Sequence, residues 1–275
     1  MSIDPNVSEW LNLILRWTHV FAAIMWVGTT YYFTWLDARL SQEEKATANT
    51  GIAAQIWMVH SGGFYVVEKR KVPDLASRAL HWFRWEAATT WLSGFALLVV
   101  VYYLGGGVLV DPDVRDLSTT TAIGIGVGLL IAAWVIYDLL MLSPLGKQEK
   151  IFAVIAYVVV VAISYGLTRI LSGRAAFIHV GAMFGTIMAA NVWSRILPAQ
   201  KRMIAAINAG RKPDEALSAQ AKLRSKQNTF MAVPTVFLMI SHHYPAATYG
   251  DRNNWLIMSF LVLAGWISAK FIRRA

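Results

Sequence analysis

The chain has 275 residues, 56% hydrophobic and only 15% charged, and its mean hydropathy of +0.47 is that of a polytopic membrane protein. It contains no cysteine, which excludes a disulfide framework, an iron–sulfur cluster, a zinc finger and thioether-attached haem c. The net charge of +9 is gathered in particular loops, where it sets topology, and so argues against nucleic-acid binding.

Met1 to Glu9 carries Asp4 and Glu9 but no basic residue, and the apolar run 10–36 is too long for a cleaved signal segment. It reads as an uncleaved first span. Further stretches able to cross a ~30 Å hydrocarbon core follow at 84–105, 118–142, 151–171, 174–197, 229–247 and 253–272. Pro234 interrupts the sixth, where a kink is expected. Positive charge falls between spans one and two (Arg39, Lys45, Lys69, Arg70, Lys71, Arg78) and after span five (Lys201, Arg202, Arg211, Lys212, Lys222, Arg224, Lys226). The link 105–117 instead holds Asp111, Asp113 and Asp116 against Arg115. The positive-inside rule therefore predicts an all-α membrane helix bundle of seven spans with the N-terminus outside. Residues 1–275 form one integral membrane domain on this reading, with inner loops at 37–83 and 198–228.

Residues 50–67 are uncharged and could add an eighth span. The Ser61-Gly62-Gly63 break favours an interfacial or re-entrant helix on the inner side. Lys201 to Lys226 reads as a basic amphipathic stretch solvated beside anionic lipid. Asp138 and Asn191 sit near the inner ends of spans, where hydrogen bonds across helices are expected.

Ionisable groups inside a bilayer point to function. At 1.5 Å per residue, the topology places His19, His179, His242 and His243 in the outer leaflet on three helices. Histidines on facing helices are how a bundle holds a haem. Arg16, His19, Ala23 and Trp26 share one helical face. Ala23 leaves room for a flat macrocycle, and Arg16 is placed to pair a haem propionate. Gly181 and Gly185 permit close approach of a helix or a porphyrin. A lone membrane histidine also serves as an interhelical hydrogen-bonding group. The expected iron ligands are His19 with His179, with His242 or His243 in reserve, around a b-type haem. At the inner face, His60, His81, Arg84 and Glu86 form a second cluster. It reads either as an aromatic belt with snorkelling charges or as a pocket in which Arg84 and a Trp82 or Trp85 ring hold a planar anion.

The strings RWTHVFAAIMWVGTTYYFTWLD (16–37), WMVHSGGFYVVEK (57–69), LHWFRWEAATTWLSGF (80–95), FIHVGAMFGTIMAANVW (177–193) and NTFMAVPTVFLMISHHYP (228–245) resemble the N-terminal membrane domain of the PuuD-type urate hydroxylases. The likeness runs over nearly the whole chain. The first helix is also similar to that of CopD-like and haem-b-dependent HemJ-like membrane proteins. The main resemblance implies oxidation of urate to 5-hydroxyisourate, with water as oxygen source and electrons passing to a cytochrome c. Members typically continue into a further helix and a cytochrome c domain. This sequence reaches Ala275 without a Cys-x-x-Cys-His motif, so a separate cytochrome c is the expected acceptor. The setting implied is a bacterial inner membrane. Two other functions fit a multi-pass histidine-bearing chain: a non-enzymatic haem-b electron-transfer or assembly subunit, and a purine or metal transporter.

Overall fold

The computed structural model describes residues 4–46, 54–70, 79–105 and 107–273. Lys71, Arg78 and residues 50–53, all used in the topology argument, lie outside the described residues. The chain is helical almost throughout: α1 (Pro5–Ala46), α2 (Trp85–Leu98), α3 (Thr119–Leu142), α4 (Glu149–Leu167), α5 (Gly173–Asn191), α6 (Leu197–Asn208), α7 (Glu215–Ile240) and α8 (Asn254–Ile272). Two π-helical turns interrupt this regularity. Val99–Tyr103 extends α2, and Val192–Ile196 joins α5 to α6.

Among the described residues six helical stretches are long and apolar enough to cross a membrane: α1, α2 with its π turn, α3, α4, α5 through α6, and α8. The expected sixth span, 229–247, is different. Its helix α7 starts earlier, at Glu215, and ends at Ile240, so its first three turns carry Lys222, Arg224 and Lys226 beside the apolar part. Helix α7 runs through Pro234, which is packed against Gly265 of α8. A Cβ on Gly265 would lie 2.9 Å from Pro234 Cδ and 3.0 Å from its Cβ. We expect Gly265→Ala to lower the unfolding free energy by about 1–3 kcal/mol through overpacking, read from thermal unfolding in detergent.

Helix α5 is the axis of the bundle. Its apolar window is 72% buried, and it touches α2, α3, α4 and α7. Gly181 makes this closeness possible, because a Cβ there would lie 2.9 Å from Met239 Cε on α7. Helix α1 is the opposite case, with only 6% of its window buried and α2 as its main helical neighbour.

Residues 54–69 do not form the expected interfacial helix. They form an antiparallel hairpin, β1 (Ala54–His60) and β2 (Gly63–Lys69). Ser61 and Gly62 adopt φ of 48° and 78°, the two positive values that a two-residue hairpin turn requires. The supposed helix break is thus the hairpin turn itself. β-Branched and aromatic residues on both sides of it suit a pleated surface. Ala54, Ile56 and Val67 pack on Leu36 and Leu40 of α1. The stretches 37–83 and 198–228, expected as inner loops, are consequently well structured where they are described. The first contains the end of α1 and the hairpin, and the second contains most of α6 and the start of α7.

Candidate functional site: a cationic cavity between helices

Four helices supply the site, and each presents its polar residues for a local reason. On α1, the i, i+3, i+7, i+10 spacing puts Arg16, His19, Ala23 and Trp26 on one face, and all four line a cavity of about 630 Å³. On α5, Ser172 caps the helix by accepting from Ala175 N at 3.2 Å while donating to Val108 O at 2.6 Å. That cap fixes the first turn and hence Arg174. Helix α7 stops at Ile240 and passes into a 3₁₀ turn, Ser241–His243. Thr248 Oγ1 holds this turn, donating to Ser241 O at 3.1 Å and Tyr244 O at 2.7 Å. On α2, the π turn re-aims its tyrosines, as such bulges do at functional sites. Tyr102 lines the cavity and Tyr103 turns away from it.

The cavity has one polar end. Arg16 near the start of α1, Arg174 at the start of α5, and His242 and His243 at the end of α7 meet there. Arg16 Nη1 lies 3.4 Å from His242 Nε2, and its Nε and Nη2 donate to Asn12 Oδ1 at 3.2 and 3.0 Å. The guanidinium of Arg174 sits 5.8 Å from the Tyr102 ring centre, and its Nε is buried without a hydrogen-bond partner. The rest of the lining is predominantly apolar, and it includes no aspartate or glutamate. A buried donor without an acceptor, two arginines and no carboxylate describe a site for an anionic group on a largely apolar ligand.

The histidines are poised as nitrogen donors. His19 Nδ1 lies 2.9 Å from Thr90 O and 3.3 Å from Ser93 Oγ. A backbone carbonyl only accepts, so Nδ1 carries the hydrogen and Nε2 the lone pair. His242 repeats this arrangement, with Nδ1 at 2.8 Å from Met239 O. His243 lies against His242, ring centres 3.9 Å apart. Gly94 makes the seat for His19, because a Cβ there would stand 2.7 Å from His19 Cε1. Gly185 lines the same cavity. Among the described residues no three metal-ligating side chains converge on one point. The donors therefore suit an iron already held in a macrocycle better than a bare ion. The residues present would fit a haem b: His19 Nε2 is free, His242 Nε2 is engaged only by Arg16 Nη1 at 3.4 Å, and Arg16 and Arg174 stand where the haem carboxylates would need partners.

His179 does not join them. It is fully buried and does not line the cavity. Its Nδ1 donates to Ala175 O at 2.7 Å, and Tyr103 Oη donates to its Nε2 at 3.2 Å. Gly126 of α3 makes room for this pair. Both ring nitrogens are thus used in helix-to-helix packing, and the expected His19–His179 pairing is not what the geometry assembles.

The inner candidates are dispersed. His60 ends β1 on an exposed face, and His81 is exposed, edge-on to Phe83 with ring centres 4.6 Å apart. Arg84 and Glu86 flank the first residue of α2. Each is half-buried and keeps one polar atom, Arg84 Nε and Glu86 Oε2, out of water and without a partner. Arg84 lies 5.3 Å from the Trp85 ring centre. None of the four lines the cavity.

A second polar centre escaped the sequence reading. Asp138 of α3 receives Arg224 Nη2 at 2.7 Å and Arg195 Nε at 2.9 Å, the latter also bonding Asp138 Oδ2 through Nη2. Arg224 Nη1 donates to Asn191 Oδ1 at 3.2 Å. Asn191 Nδ2 reaches Asn228 Oδ1 at 2.8 Å and Tyr137 Oη at 3.2 Å. The expected cross-helix bonding of Asp138 and Asn191 is present, but Arg224 is only 1% exposed and not part of a solvated loop. Its signal was available: Arg224 and Asn228 lie one turn apart, at the boundary where α7 becomes apolar.

Among known families, the model described as urate oxidase N-terminal matches residues 5–275. No curated protein and no solved structure matches the chain.

Proposed function

The chain belongs to the urate oxidase N-terminal family, and on that premise we propose that it is a membrane-bound oxidoreductase that converts urate to 5-hydroxyisourate. The cavity that joins the His19 and His242 imidazoles to two guanidinium groups, with no aspartate or glutamate in its lining, carries this reading. The reaction adds one water oxygen to urate and releases two electrons and two protons. The electrons would leave one at a time to a cytochrome c. His19 and His242 would hold a haem b, with Arg16 and Arg174 pairing its carboxylates, and the haem would supply one-electron redox chemistry.

The residues of the chain perform the remaining work. Thr90 O fixes the His19 tautomer and ring orientation, which keeps Nε2 available as a donor. Met239 O does the same for His242. The apolar walls from α2 and α5 exclude water and so strengthen charge interactions at the polar end. Urate is a planar anion, and the cationic end offers it Arg16, Arg174, His242 and His243, shared with the haem carboxylates. Arg84, the alternative anchor, stands two residues from the half-buried Glu86, whereas no aspartate or glutamate lines the cavity. With this end of the bundle facing outward in a bacterial inner membrane, a periplasmic cytochrome c can approach it.

Purified protein in detergent should show a b-type reduced-minus-oxidised spectrum. His19→Ala and His242→Ala should abolish it, while His179→Ala should leave it in place. Urate added to the oxidised protein should then reduce the haem and, through it, cytochrome c. Folded wild-type protein without haem sinks the redox reading. Haem that urate does not reduce indicates an electron-transfer or assembly subunit instead.

A further inference from the structure

The hairpin β1–β2 carries an apolar face that no helix among the described residues covers. Trp57, Val59, Phe64 and Val66 are 73%, 69%, 79% and 41% exposed. They form two cross-strand pairs, Trp57 with Val66 and Val59 with Phe64. Because side chains alternate along a strand, these four share the face opposite to the one that rests on α1.

The direction of the hairpin gives this face its meaning. At its open end, Lys69 Nζ bonds Asp37 Oδ1 at 3.0 Å and approaches Glu44 Oε2 at 3.9 Å, and Lys222 of α7 reaches Asp37 Oδ2 at 2.9 Å. Nearer its tip, Met58 Sδ accepts from Tyr32 Oη at 3.6 Å. The strands therefore rise from the charged end of α1 back towards its apolar, membrane-crossing part. Polarity follows the same gradient: residues 54–67 contain no Asp, Glu, Lys or Arg, whereas Glu68, Lys69 and Arg70 crowd the base. Asp37 marks the level at which α1 leaves the apolar layer, and the four exposed side chains lie on the membrane side of that level.

We propose that this hairpin is a lipid-inserted element, with Trp57, Val59, Phe64 and Val66 seated at the boundary between headgroups and acyl chains. Its depth has a limit. A two-stranded ribbon has two open edges, and unpaired backbone groups are not tolerated in the hydrocarbon interior. The ribbon therefore lies in the interfacial layer, where tryptophan is favoured, and braces the long α1 against the membrane surface through the Asp37 bridges.

The 275-residue chain contains no cysteine, which makes the test direct. Full-length Val59→Cys, Phe64→Cys and Glu68→Cys proteins, each labelled with an environment-sensitive fluorophore, are reconstituted in phosphatidylethanolamine–phosphatidylglycerol vesicles. Labels at 59 and 64 should emit to the blue, and shallow acyl-chain spin-labelled lipids should quench them several-fold more than aqueous iodide does. The label at 68 should show the reverse. Iodide quenching at 59 and 64 equal to that at 68 overturns the proposal. So does shielding from both quenchers with self-quenching between labels, which means that a second copy covers the face. The two independent tip positions keep the test decisive if one variant misfolds. The readout depends on neither haem nor urate, so it fails or succeeds apart from the oxidoreductase reading.

Discussion

Asp138→Ala should be the most destabilising single substitution in the bundle, lowering the unfolding free energy by about 3–5 kcal/mol. The carboxylate accepts from Arg224 and Arg195, and the Arg224 side chain is only 2% exposed. Removing the acid leaves two guanidinium groups facing each other, one of them with no route to water. A charge stranded in this way costs more than the intact pair contributes, which is why breaking one partner is worse than replacing both. Asp138→Ala combined with Arg224→Met should therefore recover part of the loss. Thermal unfolding of the detergent-solubilised variants measures both, and a single mutant as stable as the parent contradicts the assignment.

Two glycine substitutions should separate the histidines. A Cβ on Gly94 would stand 2.7 Å from His19 Cε1 and 3.1 Å from Nδ1. The ring cannot slide aside without giving up its bond to Thr90 O, so Gly94→Val should cut haem retention at least roughly tenfold, the equivalent of ~1.4 kcal/mol. A Cβ on Gly126 would stand 2.6 Å from His179 Nε2 and 2.7 Å from Tyr103 Oη. Gly126→Ala should break that buried hydrogen bond and destabilise the bundle by about 1–3 kcal/mol, while haem content per folded protein stays at the parent value. The opposite pattern, with haem lost from the Gly126 variant and kept in the Gly94 variant, would return His179 to the ligand set.

These contrasts also show where reading from sequence reaches its limit. Depth along a helix follows from counting residues, so the gathering of His19, His242 and His243 at one end of the bundle was legible. Rotation about the helix axis is not fixed by counting when a helix is surrounded on all sides. For α1, which has one covered face, the spacing of Arg16, His19, Ala23 and Trp26 indicated its orientation. For α5, buried all round, nothing in the chain said whether His179 faced α3 or the cavity, and Gly126 on another helix decided it. The hairpin escaped for a different reason. A short apolar run interrupted by glycine suits a helix or a strand equally well, and only positive φ at both Ser61 and Gly62 tells them apart. Arg224 was hidden by its neighbours Lys222 and Lys226, since one buried residue in a basic stretch does not alter its overall polarity.

The contact between Arg16 and His242 spans 226 residues of sequence, and this separation bears on biogenesis. Helix α1 is synthesised first, while the 3₁₀ turn bearing His242 follows once α7 has been made. Until then His19 faces lipid and α2 alone, and the cavity lacks its polar end. Capture of the proposed haem would therefore be a late event in assembly, open only to chains whose helices have nearly all been inserted.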